Sequence, residues 1–215
     1  MAEAGRAPGR FITVEGVEGS GKSTQAARLV EWLRGRGLEV VATSEPDGTA
    51  VGRGVRGLLA EAGGASPLTE ALLFSAARAE HVRQALEPAL AAGRVVVCDR
   101  YVDSTTAYQG AGRGVPPEAL ATLALVATGG LQPDLTLVLD LDVAEGLRRA
   151  RGRAGRADAF ERLPLEFHER VRKAYWAIQA REPERVVLVD AARPLDEVTR
   201  RIRSVVSEHL GLGER

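Results

Sequence analysis

Five short runs of this chain are apolar at almost every position: residues 11–15, 39–44, 95–99, 135–140 and 186–190. A strand with one wet face would alternate apolar and polar residues. These runs do not, which predicts strands buried on both faces of a parallel sheet. Between them, apolar residues recur every three or four positions over 22–36, about 51–62, 68–91, 117–128, 143–151, 164–181 and 195–210, the period of a helix. Strands alternating with helices predict an α/β fold of three layers, a central parallel sheet of about five strands covered by helices on both faces. No internal repeat, low-complexity linker or composition break divides the chain, so residues 11–210 are expected to form one domain behind a flexible tail at 1–10. Ligands of such sheets bind beyond the carboxyl ends of the strands. The informative stretches are therefore 16–23, 45–49, 99–109 and 148–156.

Composition narrows the partners. At 215 residues, with 45% hydrophobic and 27% charged residues, the chain can bury an ordinary globular core. Basic and acidic residues both number 29, so no global basic field points to nucleic acid or an anionic membrane. Lys22 and Lys173 are the only lysines, which makes Lys22 stand out in an arginine-rich chain. The single cysteine, Cys98, lies in an apolar run and is expected to be a buried, reduced thiol, in keeping with a cytoplasmic location. The opening residues lack the apolar core of a signal peptide, and no stretch is long enough to span a bilayer. His81, His168 and His209 have no metal-ligand spacing and read as surface or helix-packing residues; Trp32 and Trp176 read as core.

The chemistry concentrates after the first strand, in Gly16-Val17-Glu18-Gly19-Ser20-Gly21-Lys22-Ser23-Thr24. Glycines at 16, 19 and 21 let the backbone turn so that successive N–H groups face one anion, and the following helix adds its positive end. Lys22 supplies a point charge for β- and γ-phosphates, and Ser23 a hydroxyl for Mg²⁺. A strand before and an amphipathic helix after are the context this motif requires. A nucleoside triphosphate is the expected ligand. A regulatory GTPase is excluded, because its Asn-Lys-x-Asp guanine motif cannot occur in a chain without asparagine.

Further motifs follow in order: Ser44-Glu45-Pro46-Asp47-Gly48-Thr49, Leu73-Phe74-Ser75-Ala76-Ala77-Arg78, and Asp99-Arg100-Tyr101 continuing through Ser104-Thr105-Thr106-Ala107-Tyr108-Gln109-Gly110. Taken alone, Phe74 could be a core aromatic, Asp99-Arg100 a structural ion pair, and Ser104 and Thr105 capping residues. Their order beside the phosphate loop, from Phe11 to about Ala192, resembles bacterial thymidylate kinases. That resemblance implies transfer of the γ-phosphoryl group of ATP to dTMP, with Mg²⁺, in a homodimer. The other readings are a weakly active nucleotide-binding homologue and a small kinase with a different acceptor.

The resemblance also implies roles. Phe74 would stack on thymine and Arg78 would donate to its O4, an acceptor where cytosine carries a donor. Thr105 and Gln109 would complete the base contacts, and Ser104 and Pro46 would line the acceptor site. Tyr108 would crowd the sugar's 2′ position. Arg100 would hold the 5′-phosphate as a forked partner, Glu18 would lie near the acceptor sugar and phosphate, and Asp99 near the metal. Arg149, Arg151, Arg153 and Arg156, in a lid segment at about 148–160, would close over the phosphates, with Arg153 matching the catalytic position. Two departures stand out: Ser44 where the family commonly has Arg, and Asp158-Ala159-Phe160-Glu161 where it commonly has Asp-Arg-x-Glu.

Overall fold

The computed structural model describes residues 9–152 and 160–212. Five strands form one parallel sheet: β1 (Arg10–Gly16), β2 (Val40–Ser44), β3 (Val95–Asp99), β4 (Leu135–Asp140) and β5 (Val186–Asp190), in the spatial order β2-β3-β1-β4-β5. The register sets Val14 beside Asp99 and Gly16 beside Leu139. The central strand thus delivers its loop between the ends of β3 and β4.

The helices are α1 (Lys22–Gly35), α2 (Ala50–Glu61), α3 (Pro67–His81), α4 (Glu87–Ala91), α5 (Val102–Thr105), α6 (Pro117–Thr128), α7 (Val143–Arg151), α8 (Leu165–Arg181) and α9 (Leu195–Leu210). Successive residues of a strand point to opposite faces, so each strand feeds two cores. Ile12, Val14, Val95, Val97, Leu135, Leu137 and Leu139 pack with Leu29 and Leu33 of α1, Val171 and Tyr175 of α8, and Ile202 of α9. Phe11, Val96 and Cys98 face the other way, onto Val82, Leu86 and Tyr101.

The helix expected at 68–91 is interrupted by a π turn, Val82–Leu86, between α3 and α4. Residues after β3, expected only as a ligand-binding stretch, coil into α5 and a second π turn, Thr106–Gly112. Such turns are frequent at functional sites, because the wider coil re-aims side chains. Here it carries Tyr108 and Gln109.

Candidate functional site

The phosphate loop runs from the end of β1 to α1. Gly16, Gly19 and Gly21 have φ of 138°, 69° and 92°, a region L side chains avoid. They are not equivalent. A Cβ on Gly19 would stand 1.9 Å from the Gly146 carbonyl of α7, and one on Gly16 2.6 Å from the Leu139 carbonyl of β4. Only Gly21 borders open space, with no atom within 4 Å. Two glycines therefore also allow close backbone packing behind the loop, and the third opens its front. Gly21 caps α1 with no side-chain bond, so the first amides of the helix are not consumed by a capping side chain. Ser20 bonds the Val17 carbonyl at 2.8 Å and braces the turn, and Thr24 is exposed on the cleft rim.

Lys22 lies over this loop, its Nζ donating to the carbonyls of Gly16 (3.0 Å) and Val17 (2.9 Å). Burial, reinforced by the nearby Arg100 charge, pushes its pKa down to about 8. One side of the cleft suits a hard cation. Ser23 Oγ donates to Asp99 Oδ2 at 2.6 Å, while Asp99 Oδ1 is buried without a partner among the described residues. A hydroxyl and a spare carboxylate oxygen fit Mg²⁺, which prefers oxygen ligands and keeps few from protein. No cluster of three or more His, Cys, Asp or Glu that could hold a metal occurs among the described residues.

Arg100 adopts φ 73°, the one positive value among the described non-glycine residues. Strain of this kind costs on the order of 1–3 kcal/mol and collects where a side chain must be aimed. The buried Cys98 thiol donates to the Arg100 carbonyl at 3.1 Å. The guanidinium donates to Ser104 Oγ (3.3 Å) and Glu18 Oε1 (3.4 Å), over the face of Tyr108 at 5.0 Å. Glu18 Oε1 also accepts from the Tyr108 hydroxyl at 2.6 Å, and Oε2 lies 3.0 Å from His168 Nδ1. Burial would raise the Glu18 pKa, but His168, Arg100, Lys22 and Tyr108 together hold it down at about 2. The side chain is a carboxylate at any physiological pH.

Behind Arg100 lies Glu15, fully buried on β1. It accepts from the Tyr101 amide (2.7 Å), Ser104 Oγ (2.6 Å) and the Tyr175 hydroxyl (2.8 Å). Those donors favour the charged form. Burial and the neighbouring Asp103 outweigh them and push its pKa up to about 7.

Phe74 is half-buried on α3 and belongs to none of the core clusters. Arg78, one turn on, is buried. Its Nε donates to Glu45 Oε2 (2.8 Å), and its Nη2 donates to the Tyr101 carbonyl (3.0 Å) and Thr105 Oγ1 (3.0 Å). Nη1 has no protein partner among the described residues and is the nitrogen free to meet a ligand. Pro46 follows Glu45 through a cis peptide. Gln109 is tied to Glu70 at 2.7 Å, and Glu70 to Arg113 at 3.3 Å.

Arg149, on the last turn of α7, donates to Glu145 (2.7 Å) and the Ala191 carbonyl (3.1 Å) and borders the cleft. Arg151 is exposed at the end of α7. Arg153 and Arg156, with Asp158 and Ala159, lie outside the described residues. Ser44 and Glu161 border the same cleft as Glu18, Lys22, Asp99 and Arg100, about 560 Å³ in volume.

One expectation is narrowed and one needs correction. Of the two readings, surface or helix-packing, His168 and His81 fit the second. Each is buried with a nitrogen on a carboxylate, Glu18 and Glu45 respectively. His81 Nε2 also meets Thr43 Oγ1 at 2.7 Å, and that pair leaves no room for a Cβ on Gly48. Trp176, read as core, is 38% exposed, stacked by Arg172 and bonded to Asp140. Neither carboxylate partner is near its histidine in sequence, so spacing carried no signal. Among the described residues no helix is long and apolar enough to cross a membrane.

Comparison with known proteins agrees in one direction. Residues 14–202 match the family model described as thymidylate kinase. The chain is 49% identical over 208 residues to a thymidylate kinase of Desulfovibrio desulfuricans, covering 93% of this chain and 96% of that one. It is 52% identical over 202 residues to one from a Synechococcus strain, covering 94% and 96%. In three dimensions it is similar to the crystal structure of thymidylate kinase from Ehrlichia chaffeensis: TM-score 0.78, 33% identity, 94% of this chain and 99% of that chain.

Proposed function

The chain belongs to the thymidylate kinase family and catalyses ATP-dependent phosphorylation of dTMP to dTDP; we propose that Lys22, Arg100 and Glu18 carry the transfer. In this reading the ATP phosphates lie on the amides of residues 16–24, with the ammonium of Lys22 leaving the Gly16 and Val17 carbonyls for the β- and γ-phosphates. The thymine stacks on Phe74 with its O4 edge at Nη1 of Arg78, and Pro46, Thr105 and Gln109 shape the rest of the pocket. Arg100 draws the 5′-phosphate into line with the donor, flanked by Ser104. Glu18 and Tyr108 meet the sugar side.

An oxygen of the acceptor phosphate attacks the γ-phosphorus, the bond to the β-phosphate oxygen breaks, and ADP leaves. No covalent enzyme intermediate is needed. The rate comes from alignment and from charge aimed at the transferred group's oxygens. Mg²⁺ bound with ATP at Ser23 and Asp99 would neutralise phosphate charge. Arg149 and Arg151, with Arg153 and Arg156 of the proposed lid, would supply positive charge to the same oxygens, Arg153 foremost.

The observation that carries this reading is the convergence of Lys22, the Ser23–Asp99 pair and the Glu18–Arg100 pair on one cleft. We also propose a cytoplasmic enzyme, supported by the buried free thiol of Cys98. A homodimer is supported by exposed apolar side chains on neighbouring helices: Val51 and Leu58 on α2, Leu68 and Leu72 on α3, Leu125 and Val126 on α6.

An ADP-release assay with dTMP, dUMP, dCMP and thymidine as acceptors tests the assignment. dTMP should be used best, dCMP poorly, and thymidine not at all, because it lacks the phosphate that Arg100 holds. Lys22→Ala should lower kcat by about 10²-fold or more, the cost of losing one electrostatic clamp on a developing charge. Thymidine turnover at the dTMP rate, or a Lys22→Ala enzyme of undiminished kcat, would refute these roles.

A further inference from the structure

His168 is fully buried on α8, yet among the described residues only one of its ring nitrogens has a partner. Nδ1 lies 3.0 Å from Glu18 Oε2, while Nε2 is buried with no hydrogen bond among the described residues. A histidine serving only the core would be expected to satisfy both nitrogens or to give way to an apolar side chain, since an unpaired buried polar atom is destabilising. Its neighbours Phe167 and Val171 belong to the apolar core, so the position would accept such a side chain. The stabilising contact of its ring is the bond to Glu18.

Glu18 needs that contact. Its Oε1 is drawn by Tyr108 at 2.6 Å and Arg100 at 3.4 Å, which fixes one end of the carboxylate. A group held at one oxygen can still swing about its terminal torsion, a broad two-fold one. His168, gripping the other oxygen, Oε2, fixes the plane. We infer that His168 is a positioning residue of the transfer site: through Nδ1 it holds the Glu18 carboxylate in the orientation that aims Arg100.

The helix bearing it has a second link to the same group. Phe160 and Phe167, either side of the turn into α8, pack edge-on against Tyr108 at 5.5 and 6.1 Å, and the Tyr108 hydroxyl reaches Glu18. The segment following the lid therefore touches the phosphate-loop carboxylate both directly and through one ring. This inference rests on Glu18 belonging to the transfer site.

Substitution separates the two ends of the ring. Asn carries its amide nitrogen near the Nδ1 position, Gln nearer Nε2, and Leu has neither. His168→Asn should keep most of the wild-type kcat/KM for dTMP. His168→Gln and His168→Leu should each lose about 10-fold or more, with KM for ATP little changed. The same changes in a Glu18→Gln background decide whether the effect passes through Glu18, because residues acting through one another are non-additive. His168→Leu should then cost less than about 2-fold further.

If His168→Leu costs the same factor in both backgrounds, or if Asn is as harmful as Leu in a folded protein, the positioning role is overturned. If Glu18→Gln alone is fully active, the assignment of Glu18 to the transfer fails, and the role of His168 with it. Should His168→Leu not fold, the Asn and Gln variants still decide, since only a role at Nδ1 ranks Asn well above Gln.

Discussion

Two buried glutamates on one stretch of chain, Glu15 and Glu18, are shifted in opposite directions because their partners differ. Glu18 has the Arg100 and Lys22 cations beside its hydrogen-bond partners and is held down at about 2; Glu15 is bonded by neutral donors beside an acidic neighbour and is pushed up to about 7. The sign for stability follows. Between about pH 4.5 and 7 the folded chain keeps a proton on Glu15 that the unfolded chain has lost, so this residue's contribution falls as pH rises through that window. Glu18 does the reverse, contributing above about pH 4.5 and losing that contribution as pH falls towards 2. Glu15→Gln isolates the first effect. Relative to this variant, the wild type should lose on the order of 3 kcal/mol between pH 5 and pH 8. Urea unfolding of both proteins at the two pH values measures it. A difference that does not change with pH would mean that Glu15 titrates as an ordinary exposed carboxylate.

Among the elements, the phosphate loop and α7 approach closely, Gly19 and Gly146 meeting backbone to backbone. A Cβ on Gly146 would lie 2.4 Å from the Glu18 carbonyl. Alanine is the better helix former by up to about 1 kcal/mol, so helix propensity and site geometry oppose each other here. Gly146→Ala should displace the loop and lower kcat/KM by about 10-fold or more, since sub-ångström errors in alignment are costly in phosphoryl transfer. Gly57, on α2, makes the contrast, because a Cβ there meets nothing within 4 Å. Gly57→Ala should stabilise the protein by about 0.5–1 kcal/mol and leave turnover unchanged. Steady-state kinetics with thermal unfolding of both variants tests the pair. Equal kinetics in the two would remove α7 from the support of the loop.

At the scale of the molecule, α3 packs against both α2 and α6, and these three helices leave large apolar side chains in water. Val126, 78% exposed, and Leu125, 64% exposed, are the extreme cases. Exposed apolar side chains gathered on neighbouring helices are the kind of surface that interfaces use. The proposed homodimer makes this surface its seam. Val126→Asp should convert a dimer to monomers in light scattering, because a carboxylate buried at an interface without a partner is strongly unfavourable. A wild type that is monomeric at micromolar concentration would refute the dimer, and an unchanged dimer in the variant would move the seam elsewhere.

The order of strands and helices, the phosphate loop and the cleft at the strand ends were legible in the sequence because each depends on local rules. Burial on two faces writes a continuous apolar run, a helix writes a 3.6-residue period, and an anion nest requires glycines at set offsets. The predicted strands coincide with the observed ones to within a residue at each end. Contacts between distant residues decided the rest. His168 meets Glu18 across 150 residues, Tyr175 meets Glu15 across 160, and His81 meets Glu45 across 36. Nothing local distinguishes those histidines from core or surface ones. Their roles exist only after the sheet has set α3 and α8 against the loops at its carboxyl edge, where desolvation makes each hydrogen bond to a carboxylate count.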